Sequence, residues 1–185
     1  SSIQLYIQYN IIYQMINAVR RVHEVGVIHR DVKPDNFVFG KDEHKGDIYL
    51  IDFGLSKHFM NNGEHIEANK NKGVVGTPRY LSIRAHKGYE LSRRDDLESM
   101  FYVIIQIIKG ELPWRGINIK DKKERYAKIY EKKKKVDVDN LCMGVSQLIE
   151  LYNYIRNLKF AENPDYTLIL GLINDLYLEC KQKNI

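Results

Sequence analysis

The stretch His29-Arg30-Asp31-Val32-Lys33-Pro34-Asp35-Asn36, followed by Asp52-Phe53-Gly54, decides how this chain is read. One loop carries a carboxylate, a lysine two residues on and an amide five residues on, and a second carboxylate, Asp52, comes 21 positions after Asp31. Phosphoryl transfer needs little covalent chemistry from a protein: a carboxylate to orient and deprotonate the attacking hydroxyl, and oxygen ligands for a metal on the nucleotide phosphates. An H-R-D-x-x-x-x-N loop followed by D-F-G supplies those parts. Asp31 is the candidate base, and Lys33 can reach the transferred phosphate as a compact positive charge. Asn36 and Asp52 are the candidate metal ligands. Mg²⁺ suits them, because it takes few protein oxygens and keeps waters and phosphate oxygens for its remaining positions. The implied cofactors are ATP and Mg²⁺, with Lys33, Asp35, Asn36, Val38 and Asp52 as the nucleotide-binding set. Val38 reads as an apolar floor for the base or as plain core packing.

Working outward, Ile7, Ile11, Met15, Val19 and Val22 recur at three- and four-residue steps, one face of a helix. Gly26 ends it, since glycine tolerates the left-handed cap conformation. Asn36–Phe39 and Ile48–Ile51 are β-prone runs joined by the polar stretch 40–47, which predicts a hairpin bringing Asn36 and Asp52 to neighbouring strand ends. From Leu55 to about Arg84 the pattern dissolves, and a long loop in a compact domain is usually functional. After D-F-G it reads as an activation segment, about 52–84, whose Ser and Thr positions (Ser56, Thr77, Ser82) are too sparse to indicate a phosphorylation switch. Asp96–Lys109 is apolar on nearly all sides, the mark of a buried helix. Asp95 and Asp96 open it, and one of them is expected to hold the backbone of the loop at Asp31. Leu112-Pro113-Trp114 reads as a packed turn. Two further helices follow, one through Leu148, Leu151, Tyr152, Ile155 and Leu158, the other through Leu168, Leu172 and Leu176. The expected fold is mainly α, a helical lobe with one small hairpin.

The 185 residues carry a net charge of +5, and lysines and arginines concentrate in one place. Lys120 to Lys135 holds nine basic and three acidic residues, so the rest of the chain is near neutral. With no aromatic array for stacking bases, that segment reads as a solvated helix face or a site for an acidic partner rather than a nucleic-acid groove. No apolar run is long enough to span a membrane. Cys142 and Cys180 match no metal spacing and suit reduced thiols in the cytoplasm or nucleus.

The motifs together resemble the casein kinase 1 family of serine/threonine protein kinases. HRDVKPDNFVFG, His29 to Gly40, is similar to that family's catalytic loop almost letter for letter. Leu81-Ser82-Ile83-Arg84 stands where most kinases carry Ala-Pro-Glu and resembles the family's Ser-Ile-Asn. Ser92 to Ser99, Leu112-Pro113-Trp114 and Asn163-Pro164-Asp165-Tyr166 are close to family signatures. Tau-tubulin and vaccinia-related kinases are neighbours, but the catalytic loop favours casein kinase 1. Arg84, Phe101 and Pro78 depart from the family pattern, and none of them touches the catalytic set Asp31, Lys33 and Asn36. The resemblance implies transfer of the ATP γ-phosphate to Ser/Thr of acidic or phospho-primed protein substrates. It also implies a substrate anion site at Arg79, Trp114 and Arg125.

No G-x-G-x-x-G and no V-A-I-K-like lysine occur in the sequence, the parts that cover and position the ATP phosphates. Residues 1–185 are therefore read as a kinase C-terminal lobe, inactive or weakly active alone. An exposed apolar face where an upper lobe would sit invites dimerisation. The alternative reading is a non-catalytic docking module for acidic or phosphorylated partners.

Overall fold

A computed structural model describes residues 2–183. The first helix, α1 (Ser2–Glu24), ends where Gly26, at φ +83°, returns its N–H to the His23 carbonyl. Its buried stripe is Ile12, Met15, Ile16, Val19 and His23, while Ile7 is half exposed. The stripe is thus rotated from the one expected, and a histidine occupies its last position.

Strand β1 (Val27–Ile28) leads into the loop that holds Asp31, and a 3₁₀ turn, Pro34–Asn36, follows. Strands β2 (Phe37–Phe39) and β3 (Ile48–Leu50) form the expected antiparallel hairpin, with Phe37 opposite Leu50. Asn36 itself lies in the 3₁₀ turn rather than in the strand, and Ile51 N–H bonds to its carbonyl at 2.8 Å. Gln14 of α1 pins the hairpin, accepting from Ile48 N–H at 2.9 Å and donating to the Gly46 carbonyl at 2.8 Å.

The stretch expected to be one long loop is partly ordered by short pairings. Strand β4 (Lys57–His58) pairs with β1, and β5 (Met60–Asn61) with β6 (Glu64–His65). Two-residue strands leave no periodicity to read. A short helix α2 (Ile83–His86) ends this region, capped by Ser82, whose hydroxyl accepts from Ala85 N–H.

The central post is α3 (Arg93–Lys109), closed by Gly110 at φ +93°. It starts three residues earlier than expected, so Asp95 and Asp96 lie inside it and are buried. Burial pushes the Asp95 carboxyl up to about 6, against the opposing hydrogen bonds from the Ser82 hydroxyl and Ser92 amide. α1 packs on α3 and on α7 (Tyr166–Gln182), and α6 (Ser146–Asn157) packs on both α3 and α7. The remaining helices are α4 (Lys122–Lys134) and α5 (Val138–Leu141). Phe101 is absorbed into the core between the Tyr102 and Tyr152 rings, and Arg84 donates to the Arg156 carbonyl at 3.2 Å.

Cys142, buried, and Cys180, half-buried, are free thiols, and burial raises the Cys142 thiol to about 11. Among the described residues no helix is long and apolar enough to cross a membrane. The basic segment is not wholly solvated: Lys133 is buried to 1% exposure.

Candidate functional site

The loop at Asp31 is suspended from α3 by one carboxylate. Asp96 accepts from the backbone N–H of His29 at 2.8 Å and of Arg30 at 2.9 Å, and its Oδ2 also meets His23 Nε2 at 2.8 Å. His23 Nδ1 in turn meets the Tyr166 hydroxyl of α7. Burial alone would raise the Asp96 carboxyl, but the His23 contact and the two amides outweigh it and hold it below the usual carboxylate range. The expectation that Asp95 or Asp96 holds this backbone is met by Asp96, while Asp95 turns to Ser82 and Ser92.

Held this way, Arg30 sits at φ +69°, a left-handed conformation uncommon for a side-chain-bearing residue. Asp52 at the other end of the hairpin sits at φ +60°. His29 fixes the distance between them. Its Nδ1 accepts from Asp31 N–H at 3.1 Å, so Nε2 carries the proton and donates to the Ile51 carbonyl at 2.8 Å.

Three groups converge on the Asp31 carboxylate. The Thr77 hydroxyl donates to Oδ1 at 2.8 Å, Lys33 Nζ lies 3.5 Å from Oδ2, and Asn36 Nδ2, bonded to the Asp31 backbone carbonyl at 2.8 Å, also lies 3.5 Å from Oδ2. Lys33 also donates to Thr77 Oγ1 at 3.0 Å, so that hydroxyl bridges the lysine and the carboxylate. In the sequence Thr77 is only one of the segment's few hydroxyls; its bridging place is visible only once residue 77 is folded onto residue 31.

Asn36 spends its amide nitrogen on Asp31, which leaves its oxygen as the available ligand atom. Asp52 is exposed, and one of its oxygens accepts from Gly54 N–H at 3.2 Å. Among the described residues it makes no ion pair within 4 Å. An unneutralised carboxylate and an amide oxygen at the two ends of one hairpin fit a hard cation that shares its shell with phosphate. Val38 is 38% exposed on the same hairpin, so the reading as core packing falls. Its neighbours Phe39, Tyr49, Ile51 and Phe53 are also exposed.

A pocket of about 490 Å³ is lined by Lys33, Asp35, Thr77, Arg79, Trp114 and Arg125, among others. Arg79 is exposed, and Arg125 is half-buried with one N–H on the Ile119 carbonyl at 3.1 Å. Trp114 is 2% exposed, and its indole N–H is committed to the Arg79 carbonyl at 2.7 Å. It therefore faces the pocket as a wall that holds backbone and has no further donor to offer an anion.

Gly76 makes the close approach between this segment and the loop. At φ +111°, a Cβ here would stand 2.7 Å from Leu81 Cδ2 and 2.9 Å from the Arg30 carbonyl. Gly76→Ala is expected to lose about 1–3 kcal/mol of stability in urea unfolding. An unchanged midpoint would mean that the segment can move aside freely. A family model described as protein kinase domain matches residues 2–165.

Proposed function

The chain belongs to the protein kinase domain family, and from that premise we propose that it is the C-terminal lobe of a serine/threonine kinase of the casein kinase 1 type. The substrates on this reading are proteins bearing acidic or phosphorylated residues near the acceptor Ser or Thr. The supporting observation is the convergence of Lys33, Thr77 and Asn36 on Asp31, with Lys33 and Thr77 lining the same pocket as Arg79 and Arg125.

In this reading Asp31 takes the proton of the attacking hydroxyl as its oxygen bonds to the γ-phosphorus and ADP departs. Thr77 holds the carboxylate, and Lys33 meets the charge on the transferred group. Asn36 and Asp52 would hold Mg²⁺, which neutralises charge on the phosphate oxygens. Lys33, Asp35 and Val38 face the nucleotide. Two arginines around one pocket suit a substrate phosphate, because a guanidinium can bind its oxygens bidentately. Arg79→Ala and Arg125→Ala are each expected to raise the KM for a phospho-primed peptide about tenfold. The KM for ATP should stay unchanged; a rise in both would argue against a separate anion site.

The test is transfer of labelled γ-phosphate from Mg²⁺-ATP to an acid-rich Ser/Thr peptide, by this chain and by a form extended upstream. Each is run beside its Asp31→Asn variant. Transfer lost in the variant supports the kinase reading. If neither form transfers phosphate but a phosphopeptide still binds through Arg79 and Arg125, the docking-module reading replaces it.

A further inference from the structure

Lys133 stands in a run of four lysines, Lys132 to Lys135, yet it alone of them is fully buried. It lies one helical turn after buried Ile129, on the inward side of α4. Burial pushes Lys133 well below the usual lysine range, and its Nζ is enclosed by three polar partners. Nζ lies 2.7 Å from the Pro78 carbonyl, 2.7 Å from the Leu81 carbonyl and 3.1 Å from His86 Nε2. The faces of Tyr102 and Trp114 lie 5.1 and 5.2 Å away, within reach for cation–π attraction. The His86 imidazole is kept neutral, lowered to about 3 by burial and then by the charge of Lys133, so its Nε2 lone pair stays available.

Between the two carbonyls that Lys133 grips, the Arg79 carbonyl is taken by Trp114. The Tyr80 hydroxyl donates to Gln106 of α3 at 2.7 Å. The carbonyls of residues 78, 79 and 81 are thus all fixed to buried donors, while the Arg79 side chain is left outside. Removing this side chain alone would leave the Pro78 and Leu81 carbonyls without their donor, which costs stability as well as position. What an apolar side chain cannot do is hold two carbonyls three residues apart at one point.

We propose that Lys133 is a positioning residue: its buried Nζ, bonded to the Pro78 and Leu81 carbonyls, sets the backbone of residues 78–81 and so aims Arg79 at a phosphate on the partner. The inference rests on the reading of Arg79 and Arg125 as an anion site, and not on phosphate transfer.

The test uses Lys133→Met, which keeps the packing on Tyr102 and Trp114, and Lys133→Gln, which keeps a polar head if the methionine variant does not fold. Native-state trypsin cleavage between Arg79 and Tyr80, followed by mass spectrometry, reports the segment directly. Calorimetric titration with a phosphoserine peptide reports the aim of Arg79. We expect cleavage at Arg79 about tenfold faster and peptide affinity about tenfold weaker, with cleavage at other sites unchanged and the thermal midpoint lowered by the two carbonyls left without a donor. Smaller changes in the same direction are expected for glutamine. Unchanged cleavage at Arg79 would overturn the inference. So would selective cleavage without loss of phosphopeptide affinity, or a uniform rise at every site in both variants, which would make Lys133 a core residue only. Should the wild type bind the peptide while neither it nor the form extended upstream transfers phosphate, the kinase reading fails and this one stands.

Discussion

Replacing Asp31 with asparagine is expected to cut kcat by about 10²–10⁴-fold, the usual contribution of a positioned proton acceptor. The two carboxylate oxygens of Asp31 have different partners. Oδ1 accepts the Thr77 hydroxyl, and an asparagine oxygen there keeps that bond. Oδ2 faces two donors, Lys33 Nζ and Asn36 Nδ2, each at 3.5 Å. An amide nitrogen in its place presents hydrogens to hydrogens and has no basic lone pair. The KM values for ATP and peptide should hold within about twofold, because an interaction made only in the transition state changes kcat and kcat/KM together. Steady-state rates in the form shown to transfer phosphate, with thermal melts as a folding control, decide the matter. Activity retained within about tenfold would remove Asp31 from the role of base.

The second large effect falls on stability. Asp96→Ala removes one fully buried carboxylate and strands three donors: the His29 and Arg30 amides and the His23 ring. Breaking a buried hydrogen-bonded charge in this way costs about 3–5 kcal/mol, to be measured by urea unfolding at neutral pH. The dependence on pH has a definite sign. The folded-state carboxyl is held below its unfolded value, so its contribution is present above the unfolded value of about 4 and is lost as pH falls through the folded value. The gap between wild type and Asp96→Ala should therefore be constant near neutrality and narrow below about pH 4. A gap that widened on acidification, or a loss under about 1 kcal/mol, would show that Asp96 is not the loop's anchor.

Much of this was legible in the order of residues, for reasons that differ by element. The loop and hairpin could be read because the motif fixes residue types at close spacing. The buried helix could be read because apolar residues cover it on nearly all sides. The anchoring carboxylate was narrowed to Asp95 or Asp96, but the choice between them depends on where α3 starts, which the sequence left three residues late. The bridging hydroxyl of Thr77 was hidden by the 46 positions that separate it from Asp31. Lys133 was hidden by company: in a run of four lysines only its step from Ile129 marks it as inward, and composition outweighs that step. The stripe of α1 was misplaced because Ile7 and Ile11 continue an apolar pattern that the fold leaves partly uncovered. His23, polar by type, closes the true stripe because Asp96 and Tyr166 both satisfy it.

The chain His29/Arg30–Asp96–His23–Tyr166 also sets an order in time. His23 and Tyr166 are 143 positions apart, and synthesis runs at about 5–20 residues per second. Roughly 7–30 s therefore pass on the ribosome between the appearance of the histidine and that of its tyrosine partner. Through that interval the loop around Asp31 has its amides but not its full set of holders. A nascent chain stopped before residue 166 carries every letter of the motif without the last member of the network that holds it.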